Sequence, residues 1–390
     1  MSAQAETTRG AAGKGEVGGG YPIADLYPAS RLASAAEAAG RAGLDALLLT
    51  PGPDLRYLTG YATHPSERLT CLAVPAAGPA FLVVPRLELA SAQASPAAGM
   101  SLEFVVWEET DDPYRAVAQR LGAVGTVGLA GQMWAMTVLR FRDAMPGTRQ
   151  ALAATALRAL RIRKTPAEIA ALAEAGAAID RVHARVPQWL RPGRTEREAA
   201  ADIASAIAAE GHARIDFVIV GSGPNAAKPH HEPSDRVLSP GDAVVVDIGG
   251  TMPSGYCSDC TRTYALDAVP PGLAAYYAVL AEAQEAACAA VRPGIPAEAV
   301  DAVARDLIAA AGHGEHFTHR TGHGIGLETH EDPYIVGGNT GELEPGMAFS
   351  VEPGIYPGPD GARIEDIVVC TPGGYRRLNH ASRELIVVGA

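Results

Sequence analysis

No apolar run in this 390-residue chain approaches the roughly 18 residues of a bilayer-spanning helix. The opening stretch MSAQAETTRGAAGKGEVGGG has no apolar signal core, so neither a transmembrane span nor a secretory leader is predicted. A cytoplasmic location is expected, with residues 1–21 as a disordered tail. Cysteine is scarce: the five residues Cys71, Cys257, Cys260, Cys288 and Cys370 form no disulfide framework and suit a reducing compartment. Cys257 and Cys260 have no second pair at finger spacing, and strand alternation sends their thiols to opposite faces, which argues against a zinc or redox motif. Positive charge is also short, with 32 Lys and Arg against 44 Asp and Glu; a net charge of −12 argues against nucleic acid or an anionic membrane as partner. Gly221-x-Gly223 and Gly322-x-Gly324-x-Gly326 lack the strand–turn–helix unit and later acid of a nucleotide loop. With 47% hydrophobic and 19% charged residues, the chain is globular and long enough for two or three domains.

What is present is a carboxylate pair that occurs twice. Pro240-Gly241 leads through Asp242-Ala-Val-Val-Val to Asp247, and Pro345-Gly346 leads through Met347-Ala-Phe-Ser-Val to Glu352. A second acid follows each, Asp259 and Glu365. Strands at 243–249 and 256–264 around Pro253 place Asp247 opposite Asp259, and the turn-rich Pro357–Gly361 likewise places Glu352 opposite Glu365. Like charges across a ladder repel, and desolvating one ion costs several kcal/mol or more. A cation is therefore required to hold the set. The duplication extends upstream: LRPGRTEREAAADIASAIAAEG at 190–211 aligns without a gap to VRPGIPAEAVDAVARDLIAAAG at 291–312, both with helical periodicity, and Thr195 to Glu198 forms a capping box. Two such halves about an approximate twofold bring four acids to one centre, a binuclear cation site.

Between the hairpins, RTGHGIGLETHEDP at 320–333 surrounds His323 with glycines that permit close backbone approach, and His330 and Glu331 follow. His313-x-x-His316-x-x-His319 follows a helix stop at Gly312, lacks thiolate partners, and reads as a loop exit plus strand. Upstream, residues 22–150 alternate a helix at 29–40 and strands near 45–50, 69–75, 80–85 and 102–107 with a further strand–helix pair, an α/β pattern with no catalytic cluster. A linker is expected over 151–164. Thr165-Pro166 with Glu168 then opens a long Ala-rich helix to about 189.

With these motifs the chain resembles the pita-bread metallopeptidases, the family of prolidases, aminopeptidase P, methionine aminopeptidase and creatinase, from about residue 22 to the end and most strongly over 215–370. VEPGIY around Glu352, RIED around Glu365 and GPNAAKPH at 223–230 resemble the prolidase and aminopeptidase P branch. The resemblance implies a creatinase-type α/β N-terminal domain at 22–150 and, at 165–390, an α+β pita-bread domain: a curved antiparallel sheet with helices and an internal pseudo-twofold repeat. It implies two divalent ions, Mn²⁺ first among Mn²⁺, Co²⁺, Fe²⁺ and Zn²⁺, held by Asp247, Asp259, His323, Glu352 and Glu365. It makes Glu352 a proton shuttle as well, puts His230 and His330 beside the substrate, and has Arg363 orient Glu365 or meet the substrate end. A homodimer acting on small proline-containing peptides is expected. Tyr334 stands where some prolidases carry an arginine that meets the substrate carboxylate. The expected activity is that of an Xaa-Pro dipeptidase; the alternatives are an Xaa-Pro aminopeptidase on longer peptides and a non-catalytic peptide-binding scaffold. A creatinase-like amidinohydrolase is disfavoured because that branch works without the metals.

Overall fold

The computed structural model describes residues 16–17 and 21–389. The expected tail falls largely outside them, apart from a short pairing of Glu16–Val17 with Tyr21–Pro22. The N-terminal unit is built on a six-stranded mixed sheet. In spatial order its strands are Glu103–Trp107, Phe81–Pro85, Cys71–Pro75, Ala46–Leu49, Thr126–Leu129 and Arg149–Leu152. Ala46–Leu49 and Phe81–Pro85 are buried along their whole length, the signature of strands covered on both faces. Their continuous apolar runs make the sheet legible; the edge strand Arg149–Leu152, half polar and partly exposed, gave no such signal.

Residues 151–164, expected as a linker, carry the end of that edge strand and then a helix, Ala154–Arg161, which packs against the helix Ser30–Arg41. The next helix begins as its cap predicts. The Thr165 hydroxyl accepts from the Glu168 amide while the Glu168 carboxylate accepts from the Thr165 amide, and Pro166 starts the first turn. The helix ends at His183 rather than near 189, and a short 3-10 turn at Val186–Gln188 follows, since Pro187 has no amide hydrogen to continue the ladder.

The C-terminal unit holds two principal sheets. One runs Ile386–Val388, Cys257–Leu266, Ala243–Thr251, Arg214–Ser222; the other Glu331–Ile335, Gly322–Gly324, Ala348–Val351, Asp366–Thr371, Gly374–Arg377. The internal repeat appears as matched hydrogen bonds. Gly193 and Gly294 donate to Leu238 O and Leu343 O, and the leading residues of the two helices Glu196–Ala209 and Ala297–Ala310 donate to Arg236 O and Gly341 O. No helix among the described residues is long and apolar enough to cross a membrane.

The first hairpin corrects an expectation. Asp247 lies opposite Thr261, and Asp259 opposite Gly249. The ladder continues through Thr251 paired with Cys257, and Met252 N donates to Tyr256 O at 3.0 Å, so the turn centres on Ser254 and not on Pro253. The two aspartates are diagonal neighbours on one face. In the second hairpin Val351 pairs with Asp366 and Gly354 with Arg363, so Glu352 and Glu365 do meet across the strands, in the gap between two ladder segments.

Candidate functional site

Both hairpins turn their acids into one cavity of about 610 Å³, whose wall includes Asp247, Asp259, His323, Glu352 and Glu365, together with His230, His330 and Arg363. All eight residues singled out in the sequence thus border the same space. His319, expected to lead into a strand, lies in a loop instead, with its Nε2 at 3.0 Å from the Tyr356 hydroxyl; it and Arg320 also line the cavity. The strand begins only at Gly322.

The glycines beside His323 are dictated by contact. A Cβ on Gly322 would lie 1.9 Å from Ser350 O, and one on Gly324 would lie 2.2 Å from Asp332 O, so only glycine lets this strand press between its neighbours. His323 Nδ1 lies 3.2 Å from Gly324 O; a carbonyl only accepts, so Nδ1 carries a proton, and Nε2 faces the acids. Nε2 is 3.1 Å from Glu352 Oε1 and 3.7 Å from Asp259 Oδ2. Ligand atoms of Asp259, His323 and Glu365 all lie within 4.8 Å of one another.

Electrostatics divides the four acids into two kinds. Burial opposes the charge of Glu352, but His323 and then Arg363 outweigh it and hold its carboxyl down to about 2. Burial pushes Asp259 well above the carboxylate range, and the charges of Glu365, Asp247 and Glu352 push it further. Glu365 is raised well above its range by burial, then by Glu352 and Asp247. Asp247 is raised by burial against the pull of Arg363. Arg363, 2% exposed, donates from Nη2 to Asp247 Oδ2 at 2.5 Å, from Nε to Thr261 Oγ1, and from Nη1 to Pro229 O and the Tyr356 hydroxyl. Its carboxylate partner is therefore Asp247 and not Glu365, which instead accepts from the Thr261 hydroxyl at 2.7 Å. The residue two positions along a strand shares its face but need not share its partner.

Whether a cation fits is tested by what remains unsatisfied. Asp247 Oδ1, Asp259 Oδ1 and Glu365 Oε1 are buried oxygens without a hydrogen-bond partner. Native proteins rarely bury such atoms unpaired. Oxygen donors in this number, beside one imidazole nitrogen, form a hard set suited to a divalent ion.

Such a donor set in a peptide-sized cavity assigns the molecule to the metal-dependent hydrolases. The chain belongs, more narrowly, to metallopeptidase family M24, whose pattern matches residues 170–372, preceded by a creatinase/prolidase N-terminal domain matching residues 31–163. It is similar to the probable dipeptidase PepE of Mycobacterium tuberculosis, 55% identical over 367 residues that cover 94% of this chain and 97% of the relative. The Xaa-Pro dipeptidase of Lactobacillus delbrueckii subsp. lactis is 36% identical over 358 residues, covering 89% and 95%. The crystal structure of dipeptidase PepE from Mycobacterium ulcerans matches with a TM-score of 0.88 at 55% identity, covering 93% of this chain and 98% of that one. The α/β N-terminal domain and the pita-bread catalytic domain are accordingly the fold of this enzyme.

Sequence reasoning missed the cavity residues Arg320, Phe217 and Ile219. Arg320 stands three residues before His323, with its guanidinium 4.6 Å above the Tyr334 ring. It has no carboxylate partner among the described residues. Its place in the same motif as His323 was the available signal.

Proposed function

We propose that this M24 enzyme is an Xaa-Pro dipeptidase whose two divalent ions, Mn²⁺ first, are held by Asp247, Asp259, His323, Glu352 and Glu365. The observation that carries the metal reading is the trio of buried, partnerless carboxylate oxygens on one cavity. Bound ions supply an acidified water and a Lewis acid for the scissile carbonyl. Glu352 is the proton carrier. Held low by His323, it is ionised at neutral pH, and the Ser350 hydroxyl fixes its Oε1 at 3.0 Å. His230 and His330 stand at the exposed rim of the cavity, where they meet the substrate carbonyl or the oxyanion derived from it. Burial, then the neighbouring His323 and Arg320, push His330 down to about 4, so it is a neutral imidazole at pH 7.

Two features favour an Xaa-Pro dipeptide. Phe217, Ile219 and Pro229 give the cavity an apolar wall suited to a pyrrolidine ring. Arg320, stacked on Tyr334 and lacking an acid of its own, offers a receptor for the free carboxylate that a dipeptide carries immediately after its scissile bond. It takes the task that an arginine at position 334 would have. The test is a panel of Ala-Pro, Ala-Ala and Ala-Pro-Ala on the Mn²⁺-loaded enzyme. Ala-Pro is expected to be turned over fastest, and Arg320→Met to raise its KM about 10- to 100-fold. Dipeptide turnover negligible beside that of the tripeptide would make the enzyme an aminopeptidase.

A further inference from the structure

His330 separates two cavities. It borders the acid-lined one and also a smaller one, of about 240 Å³, at the junction of the N- and C-terminal units, where Asp54, Gln132, Arg158, Arg161 and Glu328 form part of the wall. Yet little holds its ring. Among the described residues the imidazole has an edge-to-face contact with His323 at 4.1 Å between centroids, and no hydrogen bond.

The segment around it is gripped from the other side. Arg161, 13% exposed at the side chain, ends the helix Ala154–Arg161 and donates to Glu328 Oε2 at 2.6 Å, Glu331 Oε2 at 2.5 Å and Asp54 Oδ1 at 2.8 Å. Lys164, 1% exposed, fills the other Glu331 oxygen at 2.6 Å. One turn earlier on the helix, Arg158 meets Asp332 at 2.8 Å, but both groups are too exposed for that pair to weigh much. Glu331 opens the strand Glu331–Ile335 and His330 is the last residue of the bend before it, so fixing Glu331 toward the N-terminal unit fixes the backbone from which His330 reaches the acid-lined cavity. The loop folds tightly onto this anchor: a Cβ on Gly326 would lie 2.7 Å from Glu331 Oε1.

We infer that the helix Ala154–Arg161 is a clasp by which the N-terminal unit positions His330, with Arg161 as the positioning residue. Asp54, at the start of the helix Pro53–Thr59, orients the guanidinium from behind, so both anchors of Arg161's position lie in the N-terminal unit. Nothing in the clasp touches the acids of the hairpins. It acts on catalysis through one histidine, and it rests on the reading of His330 as a substrate-contacting group.

The test is a double-mutant cycle on the metal-loaded full chain, with the dipeptide that the wild-type enzyme cleaves fastest, so that an error about proline leaves the comparison intact. Arg161→Met is expected to lower kcat about 10- to 100-fold, as displacements of about 1 Å do, with KM within about twofold and bound metal unchanged. Arg161→Lys is expected to recover part of the loss. In a His330→Ala background, Arg161→Met is expected to cost less than about threefold, because its effect is already spent. Losses that multiply in the double variant, or metal lost together with activity, would overturn the clasp. Should Arg161→Met fail to fold, Asp54→Asn is read through the same cycle, with a smaller loss that must likewise vanish without His330.

Discussion

The two halves of the C-terminal repeat solve one problem with different residues. Each begins with a helix that carries a buried acid, and that acid ties down a segment bearing a histidine of the cavity. In the first half Glu196, fully buried, accepts from Ser222, Asn225 and Ser234 and meets His231, fixing the loop that contains His230. In the second, Asp301 accepts from the amide and hydroxyl of Thr321, two residues before His323, and from Arg305. The hairpins differ in the same spirit. Each supplies one acid against a cationic or imidazole neighbour, Asp247 on Arg363 and Glu352 on His323, and one without such a neighbour at hydrogen-bond distance, Asp259 or Glu365; the first half leaves orphan oxygens on both its acids, the second on Glu365 alone. A duplicated scaffold therefore keeps the task and moves the residue that performs it: Glu196 aligns with Ala297, and Asp301 with Ala200.

The comparison breaks most sharply at the orphan acids. Asp259→Asn and Glu365→Gln are expected to be equivalent, each lowering activity by about three orders of magnitude with the fold kept. If one half alone held the cation, the two variants would differ instead by a large factor in peptide turnover. The metal-free proteins should behave in the opposite sense. A folded-state pKa raised above its unfolded value favours the protonated acid, so that stability is present below the usual carboxylate range and is lost as pH rises. Urea denaturation at pH 8 without metal should accordingly find Asp259→Asn more stable than wild type.

Next in size is the anchor of the first half. Hydrogen bonds from Ser234, Ser222, His231 and Asn225 outweigh burial and hold Glu196 at about 2, against 4.5 ordinarily. That depressed value corresponds to stability on the order of 3 kcal/mol, present above pH 4.5 and lost as pH falls toward 2. Glu196→Gln should be less stable than wild type at pH 7, with the gap closing between pH 4.5 and 2; a gap independent of pH would mean that charge has no part in the anchor. Asp301, also held below its ordinary value, should show the same sign.

The smallest difference lies at the helix starts. Thr195 caps the first helix through Glu198, whereas Pro296 gives the second no side-chain cap. Thr195→Ala should cost about 1 kcal/mol by thermal denaturation, with activity unchanged. A loss of several kcal/mol would show the first half leaning on its cap far more than the second tolerates without one.

Much of this arrangement was legible in the chain because duplication makes weak signals checkable against each other. Asp247 and Glu352 follow Pro-Gly and an apolar run at equal spacing, so each validates the other as a strand-end acid. The register of the first hairpin was not legible. Its turn is set by the continuation of the ladder through Thr251 and Cys257, a tertiary preference invisible in turn residues that include both Pro253 and Gly255. Arg363 was placed in the right cavity, but of the two roles expected for it the contact with Glu365 gives way to one with Asp247, since a guanidinium on a three-carbon stem reaches across strands as readily as along one. The helix Ala154–Arg161 was hidden for another reason. Its arginines read as a charged connector until the acids they grip, Asp54 and Glu328 through Asp332, are brought near by the fold.

The central claim, that the orphan carboxylates of both halves exist to hold divalent ions, is tested most directly by titrating Mn²⁺ into chelator-stripped protein by calorimetry. Two tight sites per chain, released protons, and loss of tight binding in both Asp259→Asn and Glu365→Gln are predicted, because raised carboxyls give up protons when a cation takes their place. Wild-type protein binding no more tightly than either variant would contradict it.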